Sequence, residues 1–249
     1  ASWSDKEWIT SGQRNQNYEF TSTRKFTDDQ EPTIGIELTE PQQAAVEDIS
    51  ANLDTHQAWL LQGVTGSGKT EVYFEVMAKT LRLGRQIMVL VPEINLTPQF
   101  ESRLRSRFPK YQIVTLNSSM SDKERLQAWM LVRSGVASIV LGTRLAIFAS
   151  LPKLGLIVVD EEHDMSYKQV EGVRYNARDL AIYLASENNI PIILGSATPS
   201  LETYFNFVQG KYKRLKLNER PHGPLPDIEL ISVDRAHGRA LAPEILSAM

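Results

Sequence analysis

The sequence predicts an α/β domain: a mostly parallel sheet with helices on both faces, built around a phosphate-binding loop. Three observations predict it. The runs Ile87–Val91, Ile139–Leu141 and Leu156–Val159 are continuously apolar rather than alternating, as strands covered on both faces are. Such runs alternate along the chain with helical stretches, the order of a layered α/β domain. Between the apolar run Ala58–Leu61 and a helix-like stretch, Thr70–Leu83, lies Gly63-Val64-Thr65-Gly66-Ser67-Gly68-Lys69-Thr70, which fits G-x-x-x-x-G-K-[ST] at every fixed position.

That spacing has a chemical reason. Gly63, Gly66 and Gly68 let the backbone curl around phosphate oxygens without Cβ clashes. The loop, with Val64, Thr65 and Ser67, then aims its N–H groups inward as an anion nest. Lys69 is expected to reach the β- and γ-phosphates of a nucleotide, and the Thr70 hydroxyl to bind Mg²⁺. A helix starting near Ser67 adds the positive end of its dipole.

The other elements follow in order. Thr39-Glu40-Pro41-Gln42 starts a helix with a Thr cap, an early Pro and an acid in the first turn. After the loop helix come a strand at Gln86–Val91, a loop and helix over Pro92–Phe108 and a strand at Gln112–Leu116. Ser121–Arg133 is a helix opened by Ser-Asp-Lys-Glu, a capping-box spacing. Strands follow at Ser138–Leu141, Leu156–Val159 and Ile190–Leu194. Gly210–Leu217 and Ile228–Val233 add strands around the turn cluster Arg220–Pro224. In Lys211–Leu217 the alternation fits an edge strand guarded by lysines. Arg103, Arg105, Arg107 and Lys110 read as a solvated basic face.

The 249 residues, 42% of them hydrophobic, suffice for a full core. A net charge of −3 argues for no nucleic-acid partner by itself; a basic contact surface must be local. With no cysteine, disulfides and thiolate metal sites are excluded within these residues, which fits a cytosolic chain. No apolar run approaches the ~20 residues of a membrane span. The start is no signal peptide and lacks Met, and Ala242–Met249 reads as a helix cut short, so a piece of a longer protein is expected.

A second constellation follows the run Leu156–Val159: Asp160-Glu161-Glu162-His163. Ligands of a parallel sheet bind at the carboxyl ends of its strands. Asp160 is the candidate to hold the metal, directly or through water, and Glu161 to orient and deprotonate the attacking water. Gly195-Ser196-Ala197-Thr198-Pro199 ends the next strong strand. Its hydroxyls suit a sensor of the acidic loop. It also suits a plain turn, with Thr198 as helix cap and Pro199 at the first helical position.

The motifs at 63–73, 91–99 (Val-Pro-Glu-Ile-Asn-Leu-Thr-Pro-Gln), 142–148 (Gly-Thr-Arg-Leu-Ala-Ile-Phe), 160–164 and 195–199, in this order, resemble those of the superfamily 2 helicases. In detail they resemble the family's bacterial replication-restart branch, over about residues 36 to 249. The resemblance implies the first RecA-like lobe of a 3′-to-5′ DNA helicase that unwinds DNA at stalled or collapsed forks and supports primosome assembly. It implies ATP and Mg²⁺ as cofactors, with zinc only in a cysteine-rich module within the second lobe, which is missing here. Implied partners are single-stranded and forked DNA and, through the full-length chain, primosome proteins and single-strand-binding protein, with no membrane. The implied location is the bacterial cytoplasm. It divides the chain into an upstream linker or remnant (1–36), the ATP-binding lobe (37–235) and the start of a connection to the second lobe (236–249). A lobe on its own is expected to be inactive.

Residue by residue, the resemblance gives Gln42 an adenine contact and His163, Ser196 and Thr198 a coupling role. Thr97, Thr143, Arg144, Tyr167, Lys168, Arg174 and Tyr175 would face DNA. Tyr167 to Tyr175 lie in a segment (165–176) similar to the family's aromatic-rich loop, and tyrosine faces can stack on unpaired bases. The chain departs from the pattern at Asn117-Ser118-Ser119, where His-Ser-Gly is expected, and at Val173, where an aromatic is usual. Alternatives are a UvrB-like DNA repair NTPase, which shares a similar loop, and a catalytically silent DNA-binding module; the retained Lys69, Thr70, Asp160 and Glu161 speak against the latter.

Overall fold

The computed structural model describes residues 37–218. Expectations for 1–36, for the strand at Ile228–Val233 and for the chain beyond Asn218 lie outside them. Seven strands form one sheet in the order β3-β4-β2-β5-β8-β1-β9, with every pairing parallel. They are β1 (Gln57–Gly63), β2 (Gln86–Leu90), β3 (Ile113–Leu116), β4 (Ile139–Gly142), β5 (Leu154–Val159), β8 (Pro191–Ser196) and β9 (Tyr212–Leu217). A small antiparallel hairpin, β6 (Lys168–Gln169) with β7 (Tyr175–Asn176), stands apart from the sheet.

Parallel strands need crossovers, and helices supply them on both faces. The alternation of side chains along each strand divides the core in two. Trp59, Leu61, Ile87, Val89, Leu156 and Val158 face α1 (Glu40–Ser50), α2 (Lys69–Arg82) and α3 (Pro98–Arg107). Ala58, Met88, Leu90, Ile157 and Val159 face α4 (Asp122–Arg133) and α5 (Ala177–Glu187). Both sets are buried, so the continuous apolar runs are explained: neither face of the central strands meets water. Each such side chain contributes roughly 1.5–3 kcal/mol by leaving water.

Local chemistry fixes the element ends. Ser121 Oγ accepts from the Glu124 N–H, and the Glu124 carboxylate accepts from the Ser121 N–H at 2.9 Å, the predicted capping box. Helix α2 begins at Lys69 rather than near Ser67, because Gly68 holds a left-handed φ of 81° before it. Helix α6 (Leu201–Val208) is capped by Ser200, whose Oγ accepts from the Thr203 N–H; Thr198, expected as the cap, lies two residues earlier. The Thr198 N–H is taken by Ser196 Oγ at 3.0 Å, which turns the chain before the helix can start. Helix α5 has no counterpart among the elements expected from the sequence. Asn176 caps it, and Ala177, Ala181 and Ala185, four apart, bring it close to the sheet.

Arg103 and Arg107 do not stand on a free basic face. They form ion pairs with Glu71 and Glu75 of α2, tying α3 to the loop helix. Strand β9 lies at the edge of the sheet, as expected, with Lys213 and Lys216 exposed; the Lys213 ammonium lies 5.1 Å from the Trp59 ring centroid, and the Arg214 guanidinium 4.1 Å from that of Phe207.

Candidate active site

Three neighbouring strands assemble the site. In register, Leu60 of β1 pairs with Leu194 of β8, and Leu194 with Val159 of β5. The residues just past these positions are therefore brought to one edge: Gly63–Thr70 after β1, Asp160–His163 after β5, and Ser196 at the end of β8. This is the carboxyl edge of the sheet, where the order of strands leaves β8 between β1 and β5.

The loop is held from outside. Gln42, on α1, is 3% exposed. Its Nε2 donates to the Ser67 carbonyl at 2.9 Å, and its Oε1 accepts from the Thr39 N–H at 2.9 Å. The φ of 81° at Gly68 favours glycine, and a Cβ there would lie 2.2 Å from that Nε2 and so push the Gln42 amide off the loop. The amide predicted to read adenine is thus engaged at both ends, its Nε2 with the loop backbone and its Oε1 with the N-cap of its own helix. Lys69 Nζ donates to the Gly63 carbonyl at 2.8 Å and lies 3.7 Å from Glu161 Oε1. Ser67 Oγ is buried and has no hydrogen-bond partner among the described residues.

The acidic loop is fixed with unusual care. Glu161 takes φ 45°, the left-handed region that a non-glycine residue rarely adopts. The Glu162 N–H donates to the Gly195 carbonyl, and the Asp164 N–H to the Glu161 carbonyl. Such strain persists only where the surroundings impose it, and it gathers at functional sites. Burial, and next the Glu161 charge, push the Asp160 carboxyl up from the ordinary aspartate range. Tyr73, on α2, donates its hydroxyl to Asp160 Oδ1 at 3.0 Å. Burial, then the Asp160 charge, hold that phenol well above its usual value, so it is a donor at any working pH.

Glu162 is a residue whose role the sequence did not reveal. It is 1% exposed. Its carboxylate accepts from Arg178 Nη1 at 3.1 Å, the Ser200 N–H at 2.7 Å, Ser200 Oγ at 3.0 Å and Thr203 Oγ1 at 2.8 Å. A buried charge is tolerable when it is paired and fully hydrogen-bonded. Here it locks the acidic loop to α5 and to the start of α6. His163 Nδ1 lies 2.8 Å from Ser196 Oγ and 3.6 Å from Glu161 Oε2. So His163 and Ser196 do meet, while the exposed Thr198 reaches them through its backbone.

A model of the DEAD/DEAH box helicase family matches residues 39–207. The chain belongs to the DEAD/DEAH box helicase family. In this helicase family member the match runs from the cap of α1 to α6 and takes in every group of the site. The chain is also 52% identical over 162 residues to the replication restart protein PriA of Haemophilus influenzae, covering 65% of this chain and 22% of that protein. To PriA of Bacillus subtilis it is 40% identical over 232 residues, 92% of this chain and 29% of that protein. The chain therefore spans less than a third of these relatives. Among solved structures it is similar to RecG bound to a three-way DNA junction, with TM-score 0.58, 24% identity, and coverage of 76% of this chain and 25% of that one; the likeness bears on the fold.

The residues of the helicase site suit Mg²⁺. Among the described residues no group of three or more His, Cys, Asp or Glu could hold a metal alone. One carboxylate and one hydroxyl, Asp160 and Thr70, are hard oxygen donors of the sort Mg²⁺ takes together with substrate phosphates. Among the described residues no helix is long and apolar enough to cross a membrane.

The residues expected to face DNA divide in two. Arg144 Nη1 donates to the Ser166 carbonyl at 3.2 Å, and Tyr175 packs edge-on to the half-exposed Phe148, ring centroids 5.1 Å apart. Lys168, Arg174 and Tyr175 line one groove of the hairpin, and Lys168 and Arg174 are exposed. Two expectations are corrected. Tyr167 is 1% exposed and its hydroxyl donates to the carbonyls of Leu90 and Asp160, so its ring offers no face to a base. Thr143 is 3% exposed with its Oγ1 enclosed in the lobe, out of reach of a phosphate. Thr143 directly follows β4, and Tyr167, in the short turn at 165–167, packs into the core on the α4 and α5 side of the sheet. Thr97 uses its hydroxyl to cap α3, accepting from the Phe100 N–H at 3.2 Å.

Proposed function

We propose that this chain is the ATP-binding first lobe of a 3′-to-5′ DNA helicase that acts in bacterial replication restart. The observation that carries the reading is the meeting of Lys69 and Thr70 with Asp160 and Glu161 at one sheet edge. Similarity to PriA from two bacteria supports the restart assignment. Lys69 would bind the β- and γ-phosphates, with the loop N–H groups as their cradle. Mg²⁺, held by Thr70 and Asp160, would neutralise charge developing on those phosphates. Glu161 would take the proton of the attacking water. Fork unwinding, primosome contacts and contact with single-strand-binding protein belong to the longer protein.

Lys69→Ala tests the nucleotide half. It removes a charge-assisted phosphate contact and is expected to weaken ATP binding by on the order of 1.5–3 kcal/mol. Calorimetry giving the same affinity for both proteins would refute the assignment.

The DNA half rests on the exposed hairpin. Lys168 and Arg174 would meet phosphates, with Arg144 and Tyr175 behind them. Arg174→Ala is expected to weaken binding of single-stranded DNA. It should also flatten the dependence of log Kd on log salt by about 0.7, the loss of one phosphate contact. An unchanged slope in fluorescence anisotropy takes Arg174 out of the interface.

A further inference from the structure

The contact between Tyr73 and Asp160 has a role in the site that the loop motif does not cover. We propose that Tyr73 is a positioning residue for the metal: its hydroxyl fixes the Asp160 carboxylate so that one oxygen is kept for Mg²⁺. The inference rests on the nucleotide site proposed above.

Tyr73 lies on α2 three residues after Thr70, so it sits about one helical turn below the hydroxyl that shares the metal. Its ring is 2% exposed and packs in the core cluster of that face. A tyrosine in such a place needs a partner for its hydroxyl, and this one finds Asp160 Oδ1 at 3.0 Å. The neighbouring strand makes room for it. A Cβ at Gly195 would lie 1.6 Å from the Tyr73 hydroxyl oxygen and 3.4 Å from Asp160 Oδ1. Only glycine at the end of β8 lets the phenol reach the carboxylate. The Gly195 carbonyl at the same time accepts from the Glu162 N–H at 2.9 Å, so the glycine also anchors the acidic loop.

The chemistry follows from the inventory of lone pairs. An ionised carboxylate has two oxygens and is free to rotate about its Cβ–Cγ bond. Donation to Oδ1 stops that rotation and leaves Oδ2 as the oxygen available to a cation. A metal ligand oriented by a hydrogen bond binds better than one that must be ordered on binding, and loss of such a partner typically costs 10- to 100-fold in metal affinity or activity. Tyr167 secures the same residue from its other side, through the Asp160 carbonyl at 2.6 Å. Backbone and side chain of Asp160 are thus set by two buried phenols.

The test is binding of ADP to the 249-residue chain by calorimetry, with Mg²⁺ in excess and again with EDTA. In the unsubstituted chain Mg²⁺ should tighten binding. Tyr73→Phe keeps the ring and the packing; its affinity in EDTA should match that of the unsubstituted chain, while the gain on adding Mg²⁺ should shrink by about tenfold. A full Mg²⁺ gain in Tyr73→Phe would overturn the inference, as would equal losses with and without the metal, which would make Tyr73 a core residue only. No ADP binding by the unsubstituted chain would instead overturn the nucleotide site itself, and this inference with it.

Discussion

Glu161→Gln, made in a chain that carries both helicase lobes, is expected to bind Mg²⁺–ATP normally and to lose roughly 10²- to 10⁴-fold in turnover, the usual contribution of a positioned proton acceptor. The amide has the shape of the carboxylate but does not take a proton near neutral pH. The structure offers a competing explanation for the residue, since Glu161 Oε1 lies 3.7 Å from Lys69 Nζ. If Glu161 served only as the counter-charge of Lys69, its neutralisation would alter nucleotide affinity and leave the chemical step alone. Its backbone argues for more than a counter-charge. Its φ of 45° is flanked by two backbone bonds, the Glu162 N–H to the Gly195 carbonyl and the Asp164 N–H to the Glu161 carbonyl, and its carboxylate lies toward Lys69 of the P-loop. Measured as kcat and KM separately, a fall in kcat with constant KM identifies a group that acts in the transition state. Unchanged kcat would remove Glu161 from the mechanism.

The parts of this site that could be read from the sequence are those whose chemistry is local. The loop Gly63–Thr70 is a contiguous pattern whose glycines answer to backbone geometry, and Gly66 and Gly68 do take φ of 83° and 81°. The strands β2, β4 and β5 were legible because burial on both faces removes the polar alternation. The capping box at Ser121 was legible because its partners are three residues apart. What escaped is long-range. The Tyr73–Asp160 bond spans 87 residues and Glu162–Arg178 spans 16; neither partner has a neighbour in the chain that announces it. A weak signal existed in the third acid of Asp160-Glu161-Glu162, which a site with one metal-binding carboxylate and one base does not require. Tyr167 and Thr143 were misread for the same reason. A tyrosine beside a basic, polar stretch looks exposed until the fold turns it under β2, where the Leu90 carbonyl waits.

The 249-residue chain by itself is expected to bind nucleotide and hardly to hydrolyse it. Charge on the transferred γ-phosphate is stabilised in such enzymes by an arginine finger, which contributes 10³–10⁵ in rate. Among the described residues the arginines are occupied elsewhere. Arg178 is buried against Glu162, Arg144 donates to the Ser166 carbonyl, and Arg174 stands on the hairpin. Arg103 and Arg107 pair with α2, Arg85 with Asp54, Arg105 with Glu101, and Arg125 with Asp122. Arg214 covers the Phe207 ring, and Arg82 ends α2 some 20 Å from the loop that opens it. Arg133 ends α4 on the other face of the sheet. The two-lobed reading supplies the missing arginine from the second lobe, which closes on ATP and opens after hydrolysis. Strand separation should be absent for the same reason, since stepping needs that closure. The check is a steady-state phosphate-release assay with and without single-stranded DNA, beside a forked-duplex unwinding assay. A DNA-stimulated turnover near about one per second, the low end for ordinary enzymes, would mean that the catalytic arginine is already in this chain. The assignment of a single lobe would then have to be abandoned.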